Sequence, residues 1–151
     1  MTLDILLHII FRLIHIGSVI FFLGGVTYAG LVFLPAMQGF PEETASEAAA
    51  VAQRRFRNTL YTLLTLIVLS GLYNYFSYSG PRHSSAYQIW FGIKFLLFLH
   101  VLTTAILWAT SPLNNRASLD KSKRRLLSMT GSGLLIVLIS AYLRSLTQRG
   151  L

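Results

Sequence analysis

The first apolar stretch, Leu3 to Pro35, carries Asp4, His8, Arg12 and His15. Spacings of four, four and three place these residues on one face of an α-helix. The stretch exceeds the roughly 20 residues that a helix needs to cross a bilayer. A charged group at bilayer depth costs roughly 3 kcal/mol even on lenient insertion scales. The stripe must therefore face protein, water or a cofactor, and the remaining chain has to supply what it faces.

Composition sets the solvent. Of 151 residues, 54% are hydrophobic and 12% charged, with a mean hydropathy of +0.59. Soluble domains average roughly 45–50% apolar and 25% charged. The expected class is an all-α integral membrane four-helix bundle, with residues 1–151 as one transmembrane domain. The formal net charge of +8 reads as topology-setting charge beside the spans, not as a nucleic-acid surface. The lipid bilayer and its acidic headgroups are the expected partners. Cysteine is absent, which excludes disulfides, thiolate metal sites and iron–sulfur clusters. An acidic Asp4 in place of a basic n-region, followed by a long apolar run, does not read as a cleaved signal peptide.

Spans are expected at about 3–34, 58–78, 89–110 and 126–146. Pro35 is expected to end the first. The polar segment Gln38 to Gln53, with Pro41 at its start, reads as a short surface helix. Gly80-Pro81 marks a turn beside Arg82 and His83. Asn114 to Arg125 reads as a basic loop. Arg54, Arg55, Arg57, Arg116, Lys121, Lys123, Arg124 and Arg125 fall on one side, against Arg82, Arg144 and Arg149 on the other. The positive-inside rule then predicts a multi-pass protein of the cytoplasmic membrane, with both termini outside. Glycine-rich faces, Gly24-Gly25 among them, would permit a homodimer.

His15 and His100 are the candidate metal ligands, since both fall within spans where a histidine is expensive. If Arg12 and Lys94 mark one interface, the two imidazoles lie about 4.5 Å and 9 Å deep, at 1.5 Å per residue. Counted from Pro35 and Pro112 they lie at different depths. Neutral imidazole is a good iron ligand, and facing histidines in a helical bundle hold haem. Haem b between the first and third spans is the expected cofactor, with Arg12 and Lys94 near its propionates. His8 reads as a second ligand, a proton relay or a headgroup residue, with Asp4 able to orient its ring. The alternative for His15 is a hydrogen bond to a neighbouring helix, at Thr62 or Thr65. Lys94 alone reads as a snorkelling side chain.

The run from His15 through Gly24-Gly25 to Pro35 resembles the first helix of the CopD-like membrane proteins and the HemJ-type protoporphyrinogen oxidases. Arg57, Gly71 and Ile93-Lys94-Phe95 also resemble that pattern. The resemblance implies a four-helix membrane unit and, for the HemJ-type branch, a bound haem b with His15 among the important residues and Lys94 in the family's lysine position. The tyrosine–histidine pair and the asparagine–glutamate–proline motif of the HemJ-type enzymes are missing here, where the last span has Ser128-Met129-Thr130-Gly131.

The function expected is electron transfer or redox chemistry on haem b, with a quinol or a small diatomic gas as the other partner. The alternatives are copper or cation handling of the CopD type, with the stripe Asp4, His8, Arg12 and His15 as an entrance and copper possible at His8 and His83 outside, a protoporphyrinogen oxidase-like enzyme, and an assembly protein whose histidines only hydrogen-bond.

Overall fold

The computed structural model describes residues 3–77 and 85–148, the side chains of 86 and 146–148 excepted. Gly80-Pro81, Arg82, His83 and Arg149 lie outside the described residues. Four helices account for nearly all of the rest: α1 Leu3–Met37, α2 Glu42–Ser77, α3 Ser85–Thr110 and α4 Arg116–Gln148. All four contain stretches long and apolar enough to cross a membrane.

Three boundaries differ from expectation. Pro35 does not end α1. The helix passes through a π turn at Ala29–Phe33, where the Leu34 N–H bonds the Ala29 carbonyl five residues back. The hydrogen-bond ladder has already slipped when it reaches Pro35, whose missing N–H then costs little. The expected surface helix over Gln38–Gln53 is instead the opening of α2. No glycine or proline separates it from the span, so the 36-residue helix runs on without a break. The basic segment after Asn115 is likewise helical, the opening of α4. The Asn115 side chain accepts from the Ser118 N–H at 2.8 Å, and the Ser118 hydroxyl accepts from the Asn115 N–H at 3.1 Å. This reciprocal cap is what an N-terminal helix signal requires.

The helices run up and down in sequence. α1 lies along α2, α3 along α4, and α1 also meets α4, so α1 and α3 stand on a diagonal. Val26, Leu60, Ala105, Leu126 and Met129 are fully buried where the four helices meet. Ile20, Phe21, Leu96 and Leu138 are more than 60% exposed. An apolar outer surface of this kind suits lipid contact.

The basic end is stitched by side chains that satisfy helix carbonyls. Buried Gln53 donates to the Trp108 carbonyl at 2.6 Å and to Ser111 at 3.1 Å. Arg125 donates to the Leu107 carbonyl at 2.8 Å. Arg116 donates to the carbonyls of Gln38 and Phe40 after α1, while its own N–H reaches the Glu42 carboxylate at 3.0 Å. Helix ends leave their last carbonyls without intrahelical partners. Part of the basic charge is thus spent on closing α1 and α3.

Candidate functional site

His15 is half-buried on the side of α1 that meets α2. Its Nδ1 lies 3.1 Å from the Ile67 carbonyl oxygen and 3.1 Å from the Ser70 hydroxyl. A carbonyl only accepts, so Nδ1 carries the hydrogen. Ser70 can accept as well, because its own hydroxyl donates to the Leu66 carbonyl. The tautomer is fixed by these partners, and the neutral ring keeps its lone pair at Nε2.

Gly71 makes the approach feasible. A Cβ at this position would sit 3.1 Å from Cε1 and 3.5 Å from Nδ1 of His15. Any larger residue would push the ring away from Ile67. One turn along α2, Asn74 donates to the Phe11 carbonyl at 3.5 Å, while its Oδ1 is buried without a hydrogen-bond partner. Phe11 stacks on Tyr73 with ring centroids 3.9 Å apart, and Tyr75 on Phe91 at 4.9 Å. These stacks tie α1, α2 and α3 together beside His15.

His15 and His100 have their hydrogen-bond partners on different helices, His15 on α2 and His100 on α4. His100 is exposed, and its Nε2 is 2.9 Å from the Ser128 hydroxyl of α4. It lies six residues beyond Lys94, roughly 9 Å further along the helix. Thr62 and Thr65 are not partners of His15 either. Each donates its hydroxyl to its own helix, to the carbonyls of Asn58 at 3.0 Å and Tyr61 at 2.9 Å.

The opening stripe divides. His8 and His15 are half-buried, whereas Asp4 and Arg12 are exposed. Among the described residues no hydrogen bond joins Asp4 to His8. Sequence reasoning missed Ser70 and Asn74, although Ser70-Gly71 was a visible small pair in an apolar span. Among the described residues no group of three or more His, Asp and Glu side chains is placed to hold a metal ion. A single imidazole with a free Nε2 suits a metal whose other ligands come with it, as in haem. At His15 the chain would supply such a group with one protein ligand.

No protein-family model, no curated protein and no solved structure matches the chain.

Proposed function

We propose that this multi-pass membrane protein binds haem b through His15 and works in electron transfer, with a membrane quinol or a diatomic gas as its redox partner. The observation that carries the reading is the bond from His15 Nδ1 to the Ile67 carbonyl. Metal-ligating histidines characteristically donate their other ring N–H to such a group, which sets the ring angle and raises the basicity of the ligating nitrogen. When bound, haem would supply one-electron chemistry or a coordination place for gas.

The chain's own contribution is positioning. Ile67 and Ser70 orient the ring, Gly71 gives it room, and Lys94 would supply a cation for a propionate. Arg12 is a further cation on the exposed face, at headgroup level. His100 is bonded to Ser128 of α4, and the proposal takes His15 as its one protein ligand. The resemblance of the first span to the CopD-like and HemJ-type helix implies a bound haem b with His15 among the important residues and Lys94 in the family's lysine position. Copper handling has less support, because a lone imidazole is a poor site for a bare cation.

The basic ends of α2 and α4 are assigned to the cytoplasm by the positive-inside rule, which leaves both termini outside. An absorption spectrum of protein purified after expression with ample haem tests the proposal. A Soret band at stoichiometric haem supports it, and colourless folded protein refutes it.

A further inference from the structure

A cavity of about 180 Å³ opens between the end of α3 and the start of α4, at the opposite end of the bundle from His15. Trp108, Ser111, Leu113, Lys121, Ser122 and Arg125 contribute to its wall. Two cations face it and no carboxylate does. Arg125 is anchored through Nη1 to Leu107 and Ser111, which leaves its Nε and Nη2 donors unspent among the described residues. Lys121 is exposed and has no hydrogen bond or ion pair among the described residues.

Ser122 adds a third donor to the cavity wall. It is 3% exposed, and its Oγ accepts from Trp108 Nε1 at 2.7 Å. Ser111 and Ser140 give their hydroxyl hydrogens to carbonyls four residues back, both at 2.6 Å. Ser122 gives its hydrogen to no acceptor among the described residues. The hydroxyl can therefore add its hydrogen to an anion that the two cations attract.

Depth identifies the source of that anion. Arg125 immediately precedes the apolar run from Leu126, so the cavity opens at the level of the lipid headgroups. Lys121 stands about 6 Å further out, at 1.5 Å per residue. Leu113 and Trp108 offer an apolar wall beside the cations. A zwitterionic headgroup brings its own cation and would leave the pair of positive charges uncompensated.

We infer that this cavity binds the phosphodiester of an anionic phospholipid, held by Lys121, Arg125 and the Ser122 hydroxyl. The test is native mass spectrometry of the full chain in neutral detergent, with phosphatidylglycerol, phosphatidylcholine or glycerol phosphate added. One retained phosphatidylglycerol is expected, with phosphatidylcholine washed away. Lys121→Gln should weaken retention about fivefold, the usual worth of one cation at an anionic surface. Lys121→Arg should restore it, and Arg124→Gln, which removes an exposed charge outside the cavity, should leave it unchanged. Equal retention of phosphatidylcholine, or equal loss with Arg124→Gln, overturns the site. Glycerol phosphate binding as tightly as the lipid would overturn the lipid as its source.

Discussion

His15 Nδ1 and the Ile67 carbonyl oxygen stand 3.1 Å apart across the contact between α1 and α2. The bond spends the hydrogen of the imidazole on the backbone of a neighbouring span and leaves Nε2 as the only ring nitrogen able to bind a metal. The arrangement depends on Gly71, since a Cβ there would meet the ring at 3.1 Å. Gly71→Ala should move the imidazole by a few tenths of an ångström, and Gly71→Val should expel it. Overpacking of this kind costs about 1–3 kcal/mol. Thermal unfolding in detergent checks the stability, and the haem stoichiometry of the same samples checks the ring position.

Two adjacent glycines should behave differently. A Cβ on Gly25 would lie 2.7 Å from the Phe56 ring, whereas Gly24 has nothing within 4 Å. Phe56 packs edge-on against Trp108, so its ring cannot retreat without disturbing that pair. Gly25→Ala is expected to lower stability by about 1–3 kcal/mol, and Gly24→Ala to be neutral or slightly stabilising. Equal melting temperatures for the two variants would contradict this packing.

Gln53 carries a larger structural role than its place in a polar segment suggests. Replacement by Leu leaves the Trp108 and Ser111 carbonyls without their side-chain donor. The loss of a buried partner costs about 1–3 kcal/mol. Chemical denaturation of Gln53→Leu, with Gln53→Glu as a variant that keeps the shape but loses the donor, measures it. Both should be destabilised.

The absence of cysteine makes topology easy to probe. Asp4→Cys and Asp120→Cys each introduce a single thiol at an exposed position, at opposite ends of the bundle. An impermeant maleimide added to intact cells should label the first and spare the second. The reverse pattern would place the basic end outside.

The spans were legible because apolar length is a coarse signal that survives local detail. The long openings of α2 and α4 were not, because charged and alanine-rich turns read as surface segments until neighbours such as Glu42, Arg116 and the Asn115 cap are seen to extend the helices. His15 stood out in the sequence by its cost within a span. Its surroundings did not, since depth counted along separate helices depends on where each is anchored. The stack of Tyr75 on Phe91 sets α3 against α2, and the Ser128 hydroxyl of α4, not His15, is the partner His100 meets. The arginines of the basic end were read as topology charges, and the carbonyls they close became visible only with the backbone in place.

The most direct measurement is the oxidised and reduced absorption spectrum of the wild type beside His15→Ala and His100→Ala, each purified with ample haem. The account predicts a Soret band that survives His100→Ala and disappears with His15→Ala while helix content is unchanged. A wild type without the band, or a band indifferent to His15→Ala, would contradict it.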